Sequence, residues 1–280
     1  MQADRHRPMI SVIMGIYNEK RKDHVILAID SILKQSITDF EFIICDDGST
    51  EEFYAWLYQV CKKDERIRLI RNEVNKGLSY TLNYCMKYAS GIYYARMDAD
   101  DISKKERLEK QMLFLEKHPQ YAFVGCNAEF INDEGVWGKH VLNEKPEARD
   151  FLISSGFIHP TIMVRAEVFD KIGGYSTAAY TTRAEDYELF MRLYAEGYGG
   201  YNMQEFLFQY REDIHAFSKR KYRYRLNELR VRYRGYHALG ILKGHGLYVV
   251  KPLIAGLIPK RVMQKHRERQ FGIRKDLNTQ

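Results

Sequence analysis

Four short runs of apolar, largely β-branched residues each end in a polar or acidic cluster, and each is followed by a stretch with helical spacing. This alternation constrains the fold more than any other feature. Ile10–Ile16 is the first run, and residues 19–35 follow it with Val25, Ile26, Ile29, Ile32 and Leu33 at helical intervals. Phe40–Cys45 precedes a helix expected over 51–62, Ile67–Ile70 one over 78–89, and Ile92–Met97 one over 104–117. Continuous apolar runs of this length suit strands buried on both faces. The β-α-β-α-β-α-β order predicts parallel strands with right-handed crossovers. Ligands in such sheets bind beyond the carboxyl ends of the strands.

After Pro119 the pattern changes. Shorter strands are expected at 121–126, 129–132 and 136–142, with a turn at 132–135. Short helices are expected at 146–154 and 166–172. Residues 174–184 read as a polar loop without a core residue, and 185–195 as an amphipathic helix. A long basic helix over 219–239 places Leu226, Leu229, Tyr233 and Tyr236 at three- and four-residue steps. Of the 280 residues, 45% are hydrophobic and 29% charged, which excludes a mostly disordered, collagen-like or multi-span membrane chain.

The net charge of +7 is unevenly placed: residues 218–280 hold 17 Lys and Arg against three acids, so residues 1–217 are net acidic. Two parts are expected, an α/β catalytic domain over 1–217 and a basic helical extension over 218–280 that meets an anionic surface. Its apolar stretch, 247–258, is shorter than the ~20 residues a bilayer span needs. Lys243, Lys260, Arg261 and Lys265 flank it. It reads as an element lying on anionic lipid, or as a helical appendage packed on the domain. Cys45, Cys61, Cys85 and Cys126 form no C-x-x-C pair and read as buried thiols. The polar start lacks the apolar core of a signal peptide. The expected location is the cytoplasm, peripheral on the inner face of the cytoplasmic membrane.

Candidate chemistry lies at the strand ends. In Asp98-Ala99-Asp100-Asp101, residues i and i+2 of an extended segment point the same way. Asp98 and Asp100 could thus converge on Mg²⁺ or Mn²⁺, which takes one or two carboxylates together with substrate phosphates; a solvated helix-capping turn is the alternative. Asp46 and Asp47 end the second strand, where a carboxylate can accept from uracil N3–H or ribose hydroxyls, or simply cap the next helix. Tyr17 could stack on a nucleobase, and Asn75-Lys76 could face a phosphate. Glu185 and Asp186 open a helix whose dipole favours acids; the functional reading makes Asp186 a general base for a sugar hydroxyl. His159 reads as structural or as acceptor-side, and His215 as a loop histidine or a third metal ligand.

Together these segments resemble the family 2 glycosyltransferases, inverting enzymes of the GT-A fold. The matching text is SVIMGIYNE (11–19), IICDDGST (43–50), NKGLSYTLN (75–83), RMDADD (96–101), HPTIMVR (159–165), RAEDYELFMRL (183–193) and YREDIHAFSKR (210–220). Within the family the likeness is to bacterial enzymes that build capsule, O-antigen or lipooligosaccharide. The resemblance implies a Rossmann-like, mostly parallel sheet flanked by helices. It implies nucleobase contacts from Tyr17 and Asp47, Asp98 against the ribose and metal, and Asp100 as metal ligand. Asp186 would be the base, His215 an extra ligand, and Glu185 and His159 would lie on the acceptor side. The expected partners are a nucleotide-diphosphate sugar, UDP before dTDP or GDP, and a saccharide acceptor on a lipid. Gly15 departs from relatives with a small hydroxyl residue there. No nucleic-acid partner is expected, because the strand ends are acidic. A dehydrogenase is excluded by the lack of G-x-G-x-x-G, and a nucleotidyltransferase is disfavoured by the lack of a Gly-rich loop after the first strand. An inactive, non-enzymatic nucleotide-sugar binder and a nucleic-acid binder using the basic tail are the remaining alternatives. Oligomeric state is not legible.

Overall fold

The computed structural model describes residues 8–212 and 221–272. Strand β1 (Ile10–Ile16) lies between β2 (Phe40–Asp46) and β4 (Tyr93–Met97), with β3 (Ile67–Arg71) beyond β2. These four strands are parallel, as their order in the chain predicts. In this register Ile16 lies beside Asp46, so the ends of β1 and β2 emerge at one edge. The β1–β2 connection carries α1 (Lys22–Leu33), the β2–β3 connection α2 (Glu51–Cys61) and the β3–β4 connection α3 (Leu78–Met86). α1 begins later than its apolar spacing implies, because Asn18 turns to φ 43° and the chain leaves β1 before it can coil.

Alternation along β1 divides the core. Ile10, Val12, Met14 and Ile16 face one cluster with Val25 and Ile29 of α1, Leu57 of α2, and Leu108 and Leu115 of α4 (Arg107–Lys117). Ile13 faces a second cluster with Leu82 of α3, Phe169 of α5 (Ala166–Ile172) and Leu189 and Phe190 of α6 (Glu185–Ala195). All four cysteines are buried free thiols in these clusters.

The second half of the nine-stranded sheet is mixed. From β4 the order continues through β8 (Met163–Arg165), β6 (Tyr121–Asn132), β9 (Gly199–Arg211) and β5 (Ile102–Ser103), and β7 (Gly135–His140) pairs with β6. Several expectations are corrected here. The strands at 121–126 and 129–132 are one strand, with a register shift at 130–131 against β7. The helix expected over 146–154 is a single 3-10 turn, Ala148–Leu152. The 174–184 segment does contribute core residues, since Tyr175, Thr181 and Ala184 are buried.

The extension comprises α7 (Tyr222–Ala238), α8 (Gly246–Leu257) and α9 (Lys260–Phe271). α7 shares the second core through Val231, Arg232 and Tyr236, and Tyr236 Oη lies 3.1 Å from Tyr187 Oη of α6. Its inner face is therefore rotated from the expected one: Leu226 and Tyr233 are exposed.

β9 holds the far end of the site and depends on Gly200. A Cβ at that position would lie 2.4 Å from the Phe123 ring and 2.7 Å from Phe157. Overpacking of this kind costs about 1–3 kcal/mol. Gly200→Ala is expected to lower the melting temperature by about 2–10 °C, measured by calorimetry; an unchanged transition would contradict the packing described.

Candidate functional site

The carboxyl ends of β1 and β2 border a cleft, and the ends of β1, β2 and β4 are each built differently. At β1, Asn18 N–H donates to Ser49 Oγ at 2.8 Å, and Asn18 Oδ1 accepts from Thr50 N–H at 3.0 Å. This reciprocal pair ties the first strand end to the second and sustains the positive φ of Asn18. Tyr17, just before it, is 51% exposed on the rim.

At β2 the two aspartates separate. Asp46 is fully buried; its Oδ2 accepts from Arg71 Nε at 3.1 Å and from Ser49 N–H at 3.2 Å. Burial raises its pKa despite Arg71. Unlike Asp47, it is buried beneath the cleft. Asp47 borders the cleft, and its oxygens accept from Asn72 Nδ2, Lys76 N–H and Gly77 N–H, each at 2.8 Å. One carboxylate thereby folds the 72–77 loop over the end of β2. Gly48 must be glycine, because at φ 71° its missing Cβ would fall 2.4 Å from the Val74 carbonyl carbon. Asn75 and Lys76 are exposed on this loop, and Lys76 Nζ lies 3.2 Å from Tyr80 Oη.

A cavity of about 390 Å³ lies between this loop and the 176–185 segment, bounded by Tyr17, Asp47, Lys76, Tyr80, Arg183 and Glu185 among others. Arg183 also has a positive φ, 66°. A non-glycine residue in that conformation at a cleft marks a backbone held by its surroundings.

At β4 the strand carries a buried cation. Arg96 is 2% exposed, and its Nη1 stands 2.5 Å from Asp98 Oδ1. Asp101 is sealed behind the loop: Oδ1 accepts from Arg211 N–H at 2.6 Å, while Oδ2 is buried and has no hydrogen-bond partner among the described residues. Arg211 Nε donates to the Asp100 carbonyl at 2.9 Å, so the end of β9 clamps the acidic loop. Asp100 has its pKa pushed up to about 7 by burial and then by Asp98 and Glu19.

Tyr175 is buried. Burial keeps this phenol protonated, with Arg96 opposing and the Asp98, Asp186 and Glu185 charges adding to the rise. Tyr175 thus feels the charges of both the acidic loop and the start of α6. Glu185 has its pKa raised by burial and by Asp186. His159 is buried, its Nε2 lies 2.8 Å from Tyr175 Oη, and burial with Arg96 nearby holds the imidazole neutral. It props Tyr175 from within, which matches its structural reading and not an acceptor contact. His215 lies outside the described residues.

Arg96, Tyr175, Arg211 and Glu19 were not anticipated. Arg96 had a signal, since an arginine inside the apolar run YYARM must find a charge partner if the strand is buried. Tyr175 and Arg211 had none, because their partners are distant in the chain.

Among the described residues no three metal-ligating side chains come together. Asp98 and Asp100 do fit a hard divalent cation that arrives with phosphates, since such ions take one or two carboxylates. Asp100 is crowded by negative charge, and Asp101 Oδ2 is buried with no hydrogen-bond partner among the described residues. A cation beside this loop would relieve both.

Residues 11–173 match Glycosyl transferase family 2. The Bacillus subtilis protein EpsE is 38% identical over 96% of this chain and 96% of its own length. The O-antigen biosynthesis glycosyltransferase WbnJ of Escherichia coli is 33% identical over 76% of this chain and 82% of its own. Among solved structures, the mannosyltransferase PcManGT of Pyrobaculum calidifontis, in complex with GDP-Man and Mn²⁺, superposes with a TM-score of 0.61 at 16% identity. That alignment covers 95% of this chain and 81% of that one.

The pKa of Asp100 makes a stability prediction. In the unfolded chain its carboxyl titrates near the ordinary value, and in the fold near 7. Its charge therefore costs the fold nothing below pH 4, costs progressively more as pH rises towards 7, and costs its full amount above. Asp100→Asn is expected to raise the melting temperature at pH 8, by about 2–4 °C per kcal/mol of repulsion removed. The gain should vanish near pH 4. A loss at pH 8, or a gain independent of pH, would contradict the assignment.

Proposed function

The chain belongs to glycosyl transferase family 2, and from that footing we propose that it moves one sugar, with inversion, from a nucleoside-diphosphate sugar to a saccharide acceptor carried on a lipid. UDP is the preferred nucleotide, with dTDP or GDP next, and the product is part of a surface polysaccharide. The observation that supports this reading most is the cavity that Tyr17 at the end of β1, Asp47 at the end of β2, Lys76 of the 72–77 loop and Glu185 at the start of α6 border together. The O-antigen role in the name of WbnJ, and the GDP-Man and Mn²⁺ bound to PcManGT, agree with it.

In the proposed reaction the nucleotide occupies the cavity. Tyr17 stacks on its base from the rim, while Asp47 presents the 72–77 loop, with Asn75 and Lys76 towards the phosphates. Asp98 and Asp100 would hold Mg²⁺ or Mn²⁺, with His215 as a further ligand; when bound, such an ion supplies neutralisation of charge on the leaving diphosphate. Arg96 pairs with Asp98 from within the strand. Asp186 takes the proton of the attacking acceptor hydroxyl as its oxygen bonds to the anomeric carbon and the bond to the diphosphate breaks. A single displacement of this kind inverts the anomeric centre. Glu185, with its raised pKa, sits at the acceptor side of the cavity.

The extension is proposed to hold the enzyme peripherally on the anionic inner face of the cytoplasmic membrane. Among the described residues no helix is long and apolar enough to cross a bilayer. α8 nevertheless leaves Leu247 81% and Leu257 76% exposed, an arrangement suited to lying in an interface. The proposed division into a 1–217 catalytic part and a 218–280 extension is one of role, since α7 shares the core.

Nucleotide release from a panel of UDP-, dTDP- and GDP-sugars, with and without Mn²⁺, identifies the donor. With that donor, Asp186→Asn is expected to lose about 10²–10⁴-fold in kcat while donor KM changes less than about threefold. Near-normal turnover would remove Asp186 from the role of base.

A further inference from the structure

A second concavity lies away from the donor cavity. α9 packs on the β6–β7 hairpin: the Phe271 ring sits edge-on to Phe130 at 5.3 Å and to His140 at 4.8 Å. Between α9, the end of β7 and the 148–154 region a groove of about 800 Å³ opens, a volume suited to a ligand chain. Its walls are apolar. Val141 is 63% and Ile153 67% exposed, and Ile258, Val262 and Met263 line the opposite side. His140 is neutral there, since burial and Arg267 push its pKa down to about 4. Asp150, also in the wall, is engaged with the Glu147 N–H and Asn143 Nδ2. Exposed apolar side chains gathered into one concavity mark a binding site.

Two observations say what occupies it. The groove is continuous with the exposed face of α8: Lys251 Nζ donates to the Ile153 carbonyl at 3.4 Å, which sets the groove wall against the helix that presents Leu247, Val250, Ile254 and Leu257 outward. α9 brings cations to it: Arg267, paired with Glu212, lines the groove, and Arg261 and Lys265 are exposed on the same helix. An apolar slot that opens beside an apolar face and next to the cations of α9 complements an amphiphile, with its hydrocarbon chain inside and its phosphate at the edge. Nucleic acid or a free saccharide would leave the apolar side chains Val141, Ile153, Ile258, Val262 and Met263 unused. The groove also reaches the catalytic end of the sheet. Arg267 pairs with Glu212 at 2.5 Å, and the preceding residue, Arg211, holds the acidic loop.

We propose that the groove between α9 and β7 binds the hydrocarbon chain of the lipid phosphate that carries the acceptor sugar. This rests on the reading of the acceptor as lipid-borne and adds the place where the lipid is held. A chain seated there sets its phosphate on the α9 rim and its sugar towards the acidic loop.

The test uses the full chain and a benzophenone-tagged farnesyl diphosphate, photolysed and mapped by peptide mass spectrometry. Label is expected on α9 or on residues 141–154, displaced by farnesyl diphosphate and not by inorganic diphosphate. Val262→Trp and Ile153→Trp should each lower labelling at least tenfold while UDP binding is unchanged. Leu247→Ser, on the α8 face, should weaken pelleting with anionic phosphatidylglycerol vesicles and leave labelling intact. Label elsewhere, displacement by inorganic diphosphate alone, or labelling that needs residues 273–280 removed would overturn the proposal. If the Trp variants leave labelling and lipid-acceptor KM unchanged, the groove falls and the lipid acceptor stands. Equally fast transfer to a lipid-free saccharide would instead remove the lipid acceptor itself.

Discussion

A guanidinium sealed inside the sheet, beneath a loop of three carboxylates, is the constraint around which the molecule is arranged. Arg96 lies on a strand buried on both faces, and burying such a charge is costly unless it is paired. Asp98 supplies the pair at 2.5 Å. The remaining carboxylates feel that cation too, but burial and their mutual repulsion outweigh it. Asp101 turns inward to the Arg211 backbone, and Asp100 stays at the cleft with a pKa near 7. Removing Arg96 would leave uncompensated carboxylates on one loop, so the fold of β4 and the charge state of the site rest on the same side chain.

The same doubling of roles recurs at β2. Asp47 borders the cavity, yet its carboxylate accepts from Asn72, Lys76 and Gly77 and so folds the 72–77 loop. Its substitution would disturb the wall of the cavity as well as any contact to a base. Tyr175 and His159 work similarly from below. They are buried and mutually bonded, and Tyr175 feels the charges of both the acidic loop and the start of α6.

The alternating half of the fold was legible because its strands are long apolar runs, and each strand end that carries the acidic clusters was placed within a residue. The other half was not. β9 runs through Gly199, Gly200 and a polar interior, Asn202, Gln204 and Glu205, without a period of two, because its pairing with β6 shifts register repeatedly. The 174–184 segment looked coreless since its buried members, Tyr175 and Thr181, are polar residues satisfied by hydrogen bonds to distant or turn partners. On α7 an arginine, Arg232, takes a core position by bonding Glu228 and Tyr236, which turned the helix away from the face its leucines suggested. Among the site residues, the spacing of Asp98 and Asp100 was readable from the strand, whereas the difference between Asp46 and Asp47 depends on Arg71 and the 72–77 loop and could only come from coordinates.

The central claim, that the loop at 98–101 serves a divalent ion shared with a nucleoside diphosphate, is tested most directly by calorimetric titration of UDP into the full chain with and without Mn²⁺. The account predicts that Mn²⁺ tightens UDP binding at least tenfold in the natural protein and has little effect in Asp100→Ala. Equal UDP affinity in the two conditions for the natural protein, or full Mn²⁺ dependence retained by the variant, would contradict it.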